Sequence, residues 1–263
     1  MTGNLQVDGV QRLGPVVVRC CLYYGKNGCD YSSLAKKAVM WYNDYGDYMQ
    51  NKINIQSQTD EILKSIKDSG ERKTLLLHSC CAPCSSYCLE YLSEYFEITD
   101  MFYNPNIYPP EEYDKRSAEL ERLISEMPLA GRVTFLPEEY DEQEFYDAVK
   151  GLEALGEGSE RCFACFRLRL ERAAKYAKEH GFDYFTTTLS ISPYKNAQAL
   201  YDISRELSLK YGVAFLPSDF KKKNGYKRSI ELSHEYDLYR QDYCGCVFSK
   251  REAEQRHKEK ENG

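Results

Sequence analysis

The chain has 263 residues, of which 42 % are hydrophobic and 29 % charged, and its formal net charge is −6 at pH 7. These values are ordinary for a soluble globular protein. The net negative charge argues against nucleic-acid binding over the whole surface, but it is compatible with a local basic patch. The longest apolar runs are far shorter than the roughly 20 residues of a membrane-spanning helix, and no signal-peptide pattern is visible. We therefore expect a cytoplasmic protein with no membrane partner.

Residues 1–51 show no clear helical or strand period, and we interpret them as an N-terminal extension. Its cysteines, Cys20, Cys21 and Cys29, are not expected to be ligands. The main domain is predicted to cover residues 52–250, and the charged stretch 251–263 reads as a solvated tail.

Strand and helix patterns alternate through the main domain. The predicted strands cover residues 74–79, 97–104, 133–137, 182–190 and 213–217. Predicted helices separate them, including 83–95, 163–180 and a helix that Gly212 ends. Such alternation predicts an α/β fold with a mostly parallel five-stranded sheet and helices on both faces.

Polar and thiol residues follow several of these strands directly. Cys80 and Cys81 follow the first strand, Ser192 to Lys195 the fourth, and Asp219 to Lys223 the fifth. Ligands of open parallel sheets bind outside the carboxyl ends of the strands. We therefore expect these residues to converge on one edge of the sheet.

Eleven cysteines without a secretory signal favour metal binding or redox chemistry over stable disulfides. Thiolates select zinc, copper(I) or iron–sulfur clusters, and seven grouped thiols exceed what one structural zinc ion uses. Adjacent cysteines point in different directions, which favours a multi-iron cluster over a single zinc. The groups are Cys80-Cys81-x-x-Cys84, Cys162-x-x-Cys165 and Cys244-x-Cys246.

Several cysteine and histidine roles stay open on this reasoning. Cys244 and Cys246 suit either an easily reduced disulfide or a second metal site. Cys88, one helical turn beyond Cys84, reads as a packing residue. His78 is equally compatible with a satisfied core histidine and with a place in the site.

A basic stretch interrupts the acidic chain at residues 221–229. Positive side chains with an interleaved tyrosine can bind nucleic-acid phosphates while the ring stacks on a base. A solvated loop is the alternative interpretation. The residues are Lys221, Lys222, Lys223, Tyr226, Lys227 and Arg228.

Six sequence blocks, in order, resemble the QueH-type epoxyqueuosine reductases, the cobalamin-independent enzymes of queuosine biosynthesis. The resemblance spans roughly residues 53–250. The blocks are LLLHSCCAPCSS, FYNPNIYPPEEYDKR, ERCFACFRLRLE, FTTTLSISPYKN, SDFKKKNGYKRSIELS and YRQDYCGCVFSK.

The resemblance implies a Rossmann-like (HUP-like) catalytic iron–sulfur domain and a tRNA substrate that carries epoxyqueuosine at the wobble position. The implied reaction is a two-electron, two-proton removal of the epoxide oxygen as water, with electrons from an unidentified donor. It also implies that a [4Fe–4S] cluster is held by Cys80, Cys81, Cys162 and Cys165.

The remaining site residues follow from the same resemblance. Cys244 and Cys246 would be a redox-active pair or ligands of a mononuclear iron, and Cys84 stands where some members place a second-metal ligand. Substrate or tRNA contacts are expected from Tyr108, Tyr194, Lys195, Asp219, Lys221, Lys222, Lys223, Tyr226 and Arg228.

Two other function classes compete with the reductase. An ATP-dependent tRNA sulfurtransferase needs a glycine-rich phosphate loop after the first strand, where this chain has HSCCAPCSS instead. A zinc-stabilised nucleic-acid-binding module would lose its fold on chelation and would leave bound tRNA unchanged.

Overall fold

Five parallel strands form the centre of the protein in the computed structural model, which describes residues 54–261. The interpretation of residues 1–51 and of their three cysteines lies outside that range. None of the helices in residues 54–261 combines the length and apolar character that crossing a membrane requires.

The strands are β1 (Lys73–His78), β2 (Phe96–Phe102), β3 (Val133–Pro137), β4 (Tyr184–Thr187) and β5 (Ala214–Phe215). The helices are α1 (Ile55–Ser69), α2 (Ala82–Leu92), α3 (Pro110–Glu126), α4 (Glu142–Ala148), α5 (Glu160–Glu179), α6 (Ala197–Tyr211), α7 (Gly225–Glu235) and α8 (Val247–Glu261).

The sheet has the order β3-β2-β1-β4-β5, and every neighbouring pair is parallel. The chain first builds outward from β1 through β2 to β3, and then returns to the other side of β1 with β4. This reversal makes the boundary between β1 and β4 the switch point at which such sheets bind ligands. The predicted α/β class with a parallel five-stranded sheet is confirmed.

Helices cover both faces because side chains alternate along each strand. In β1, Leu75 and Leu77 pack into one hydrophobic core with residues of α1, α2 and α3. Leu76, between them, packs into the opposite core with residues of α5 and α6. All three leucines are fully buried, so β1 is the strand on which the two layers are assembled.

Two predicted strands are less than half as long as expected. Strand β4 ends at Thr187, whose hydroxyl accepts a hydrogen bond from the Leu189 amide at 3.1 Å and starts a 3₁₀ turn over Thr188–Ile191. Strand β5 has two residues instead of the predicted 213–217. It lies at the edge of the sheet with β4 as its one partner, so few ladder bonds hold it in a regular extended form.

The C-terminal charged stretch is helical. Helix α8 covers Val247–Glu261 and is anchored through buried Ala253 and an ion pair of 3.0 Å between Arg161 and Glu252. The outer turns are exposed. Composition predicted a solvated segment here but not its helical form.

Helices α2 and α7 pack very closely at Gly225. A Cβ atom at this position would lie 2.0 Å from the Phe220 carbonyl oxygen and 2.4 Å from Cε1 of Tyr87. Any larger residue would require backbone movement, since Cβ atoms do not approach other heavy atoms so closely. Glycine therefore sets the distance between these two helices.

Candidate metal and substrate site

The first cysteine group lies where β1 passes into α2, at the switch point. The sulfur atoms of Cys80, Cys81 and Cys84 all lie within 4.8 Å of one another, and those of Cys80 and Cys81 are 3.9 Å apart. Four thiolates around one zinc ion, each about 2.3 Å from the metal, would be separated by about 3.8 Å. The triad of Cys80, Cys81 and Cys84 therefore has the spacing of ligands to a single metal ion.

The local fold makes one thiol of this triad acidic. Cys81 caps the N-terminus of α2 with an extended backbone, and Pro83 occupies the first turn. Hydrogen bonds from Cys80 and Cys84, together with the charge of Arg116, lower the pKa of Cys81. The thiolate form, which is the form that binds metals, is thus favoured first at Cys81.

The second group begins helix α5. Cys165 is buried, and burial raises the pKa of its thiol to about 12, whereas the half-buried Cys162 sulfur accepts a hydrogen bond of 3.3 Å from the Gly158 amide. Cys244 and Cys246 act electrostatically on both of these thiols. The fold therefore brings the second and third groups together.

In the described chain, neither Cys162 nor Cys165 joins the triad within the 4.8 Å spacing. The predicted set of Cys80, Cys81, Cys162 and Cys165 thus contains one close pair from the triad and one pair beside the third group. All eight cysteines of residues 54–261 are free thiols.

The two cysteines of the third group, Cys244 and Cys246, lie in different environments. Cys244 lines an open cavity, whereas Cys246 packs with Cys165, Phe145 and Val149 in a small hydrophobic cluster. The Ser249 amide donates to the Cys246 sulfur at 3.4 Å. The side chains of the Cys-x-Cys pair therefore have different access to solvent and substrate.

The cavity next to these thiols has a volume of about 500 Å³. Thiols of Cys80, Cys84 and Cys244 contribute to its lining, and Tyr194, Lys195 and Tyr226 line it as well. Tyr194 is 83 % exposed, so its ring is free to stack on a planar ligand. The predicted convergence on one edge of the sheet is confirmed for the residues after β1 and β4.

A buried arginine faces the cysteines. Arg169 is 1 % exposed, donates to the Cys165 carbonyl at 3.3 Å and to the Asn104 side-chain oxygen at 3.4 Å, and leaves Nη2 without a hydrogen-bond partner. Burial disfavours the charge of Arg169, whereas Cys165, Cys244, Cys80 and Cys246 would favour it, and raise its pKa, in their thiolate forms. A buried charge without a partner is costly, so this arrangement fits an anionic group held by several thiolates.

The family comparison agrees with this chemistry. The model of the family described as "Epoxyqueuosine reductase QueH" matches residues 75–252, which is more than half of the chain. The chain belongs to the QueH family of epoxyqueuosine reductases. This membership supports the reductase among the three function classes considered from sequence.

Individual QueH proteins are similar over most of their lengths. The epoxyqueuosine reductase QueH of Streptococcus pyogenes is 44 % identical over 200 residues, covering 75 % of this chain and 78 % of that protein. The Staphylococcus epidermidis protein is 44 % identical over 202 residues, with 75 % and 85 % covered. The Thermotoga maritima protein is 40 % identical over 192 residues, with 71 % and 95 % covered.

Several residues predicted for the site of this QueH protein lie outside the lining of the cavity. Asp219 pairs with Lys221 at 2.5 Å, Lys223 with Asp60 at 2.6 Å, and Arg228 with Glu90 at 2.6 Å. Lys222 is exposed. The basic stretch is thus largely neutralised by neighbouring carboxylates, and its members that line the cavity are the uncharged Tyr226 and Ser229.

Tyr108 lies beside the third cysteine group. Its amide donates to the Gly245 carbonyl at 2.9 Å, and its own carbonyl accepts from the Tyr243 hydroxyl at 2.8 Å. The Lys250 ammonium is 5.7 Å from the centre of its ring. The structure therefore places Tyr108 near the Cys-x-Cys pair rather than in the cavity wall.

Sequence reasoning did not single out several residues that the structure places at the site. Arg116 is buried, and Arg240, Gln241, Tyr243 and Arg256 line the cavity. Arg116 follows Tyr113 by three positions and precedes Leu120 by four, so it occupies the apolar face of α3. A charged residue on an apolar helical face was the signal that could have identified it.

His78 and Cys88 are satisfied core residues. Nδ1 of His78 lies 2.9 Å from the Thr187 hydroxyl, and Nε2 lies 3.0 Å from the Tyr103 carbonyl oxygen. A carbonyl only accepts, so Nε2 carries the proton, and burial lowers the pKa of His78 to about 4. Cys88 is fully buried and donates to the Cys84 carbonyl at 3.4 Å.

Proposed function

We propose that the protein reduces epoxyqueuosine in tRNA to queuosine. Two electrons and two protons convert the epoxide to an alkene, and the oxygen leaves as water. The observation that carries this proposal is the gathering of the three cysteine groups around a buried arginine, with the thiols of Cys80, Cys84 and Cys244 lining one cavity at the switch point of a QueH-family sheet.

The donor set fits a metal group with thiolate ligands. In this proposal a [4Fe–4S] cluster is held by Cys80, Cys81, Cys162 and Cys165. The other three thiols have two possible roles. Either a mononuclear iron is bound by Cys84, Cys244 and Cys246, or Cys244 and Cys246 carry out dithiol redox chemistry without a metal. A bound iron–sulfur group supplies electrons one at a time from an external donor.

The close spacing of the first group also favours an alternative ligand arrangement. Sulfurs of Cys80, Cys81 and Cys84 within 4.8 Å suit one metal ion at the triad. Metal analysis distinguishes the two arrangements, because a single ion at the triad needs neither Cys162 nor Cys165.

The chain's other residues bind and orient the substrate in this proposal. The rings of Tyr194 and Tyr226 are placed to stack on the modified base, and the ammonium of Lys195 faces the cavity among the thiols. Burial alone would lower the pKa of Lys195, but the thiols of Cys244, Cys80 and Cys84 raise it. The side chain therefore stays cationic, and it can orient an anionic or oxygen-bearing group.

The basic stretch and its surroundings are assigned to the tRNA backbone. Lys222 is exposed, while Lys221, Lys223 and Arg228 would exchange carboxylate partners for phosphates. Asp219 holds Lys221 in place, and Tyr108 supports the loop that carries Cys244. A tRNA substrate also agrees with the expected cytoplasmic location.

The test is anaerobic purification followed by iron and sulfide analysis, an absorption spectrum, and mass spectrometry of nucleosides from treated tRNA. Wild-type protein is expected to contain iron and sulfide and to convert epoxyqueuosine to the nucleoside that lacks one oxygen. Cys162→Ser should lose the spectrum and the activity together. Cys88→Ala, which changes a buried cysteine with no ligand role, is the matched control.

Two results would contradict the assignment. A zinc-only protein that cannot be reconstituted with iron would refute the cluster. Cys244→Ser is expected to lose activity and keep the cluster, so loss of cluster iron in this variant would show that the ligand groups are wrongly assigned.

A further inference from the structure

The loop that carries Cys244 is fastened to the segment between β2 and α3. The Tyr108 amide donates to the Gly245 carbonyl at 2.9 Å, and Tyr243 donates to the Tyr108 carbonyl at 2.8 Å. From helix α3, Nη1 of Arg116 donates to the Cys244 carbonyl at 3.3 Å. Three hydrogen bonds from two elements therefore hold the loop.

Gly245 lies directly against this support. Its φ of +137° disfavours other residues, and an added Cβ would lie 3.2 Å from Nη1 of Arg116, 3.2 Å from Nδ2 of Asn106 and 3.3 Å from Cγ1 of Ile107. These distances are tighter than nearly all Cβ contacts, so the neighbours would have to move. The backbone at Gly245 is thus in close contact with the arginine.

Arg116 has more contacts than an arginine that only stabilises a helix. It is 1 % exposed, and its Nε is 2.7 Å from the Glu112 carboxylate. The guanidinium carbon lies 5.1 Å from the centre of the Tyr243 ring, and Nη2 has no hydrogen-bond partner. Its charge also acts on the Cys81 thiol in the triad. One side chain therefore touches the Cys244 loop and faces the first cysteine group.

We propose that Arg116 is a positioning residue which, by packing against Gly245 and bonding to the Cys244 carbonyl, fixes the Cys244 side chain beside the triad of Cys80, Cys81 and Cys84. This inference rests on the proposed role of Cys244 in the reduction. Arg116 acts through Cys244 and does not itself contact the substrate.

The test uses Arg116→Met, which removes the charge and the donors, Arg116→Lys, which keeps the charge, and Gly245→Ala. Gly151→Ala is the matched control, because Gly151 also has a positive φ, of +82°, but a Cβ added there would have no atom within 4 Å. Circular dichroism and thermal unfolding establish that each variant is folded. If Arg116→Met does not fold, the lysine and Gly245 variants carry the test.

The first readout is the alkylation of Cys244 relative to Cys84 in metal-free protein at one pH, measured by peptide mass spectrometry. Both thiols line the cavity in the native protein, so Cys84 is an internal reference. Arg116→Met and Gly245→Ala are expected to change this ratio at least about threefold, on the order expected when a thiol changes its exposure. Gly151→Ala should leave the ratio as in the wild type.

The second readout separates kcat from KM with epoxyqueuosine-containing tRNA. We expect kcat to fall by about 10- to 100-fold in Arg116→Met and Gly245→Ala, as for a reacting group displaced by about 1 Å. KM should change little, and Arg116→Lys should recover part of kcat. The double variant should be less impaired than the product of the single effects, because methionine relieves the contact made by the added Cβ.

A lower melting temperature with an unchanged alkylation ratio and kcat would overturn the inference and leave Arg116 as a structural residue. If the wild-type protein does not reduce the tRNA, the proposed function fails. The alkylation ratio then still tests the positioning role, since it is measured without metal or substrate.

Discussion

The cations of this protein fall into two regions with opposite surroundings. At the surface, Lys223 and Arg228 each pair with a carboxylate at 2.6 Å. Beside the cysteines, Arg169 and Lys195 have thiol neighbours and form no ion pair with a carboxylate in residues 54–261. The basic stretch at the surface therefore has the higher density of positive charge, but its charges are neutralised by carboxylates to a greater extent than those beside the cysteines.

The difference shows how to recognise a functional cation in this fold. An exposed ion pair contributes about 0–1 kcal/mol to stability and is screened by salt. A buried guanidinium with an unpartnered Nη2 costs free energy unless an anion is bound nearby. Burial without a carboxylate therefore indicates a role in the site more strongly than the local density of lysines.

Among substitutions that test this contrast, the largest effect on iron content and activity is expected at Arg169. Arg169→Met should lower the bound iron and reduce kcat/KM by about 10- to 100-fold, as is common for residues next to metal ligands. Any bound cluster should have a more negative midpoint potential, because a nearby positive charge favours the reduced form. Iron analysis, redox titration and the tRNA assay measure these changes.

Arg167 provides the control on the same helix, because it is partly exposed and pairs with Glu206 at 2.7 Å. Arg167→Met should resemble the wild type in iron content and potential. If Arg169→Met also kept both values, the contrast between the two kinds of cation would be lost.

A smaller effect is expected at Lys195. Lys195→Met removes the ammonium from the cavity and should reduce kcat by about tenfold, near the lower end for a group beside a metal site. Lys195→Arg should recover part of this loss by keeping the charge. Steady-state kinetics with modified tRNA make the measurement, and a change confined to KM would instead place Lys195 at the tRNA backbone.

The smallest effect is expected in the basic stretch. Lys222→Ala should leave kcat unchanged and raise KM a few-fold, and should reduce the slope of log K against log salt by about 1 if one phosphate contact is lost. Binding titrations at several salt concentrations measure the slope. A tenfold loss of kcat here would show that the two regions do not divide binding from reduction.

The carboxyl-edge placement of the cysteines could be predicted because the β/α alternation fixes which loops share an edge. Periodicity also located β3 at residues 133–137 as observed. It could not show that the 3₁₀ turn after β4 shortens that strand, since this depends on the Thr187 hydroxyl bond.

The partners of the charged residues were beyond sequence reasoning for a different reason. Asp60 and Lys223 are far apart along the chain, as are Glu90 and Arg228, and only the packing of α1, α2 and α7 brings them together. The close approach of Arg116 to Gly245 likewise depends on a loop distant in sequence. The hydrophobic pattern of one helix identifies its buried face, but it does not identify the residues of other elements that contact this face.

Gly225 also determines where one wall of the cavity lies. The residue after it, Tyr226, and Ser229 on the next turn both line the cavity, so the helix that Gly225 presses against Tyr87 also forms a wall of the binding space. Even one methyl group at position 225 would clash with the Phe220 carbonyl oxygen and the Tyr87 ring, so that wall would have to shift. The position of this cavity wall is therefore set from behind, by a residue that does not itself line the cavity.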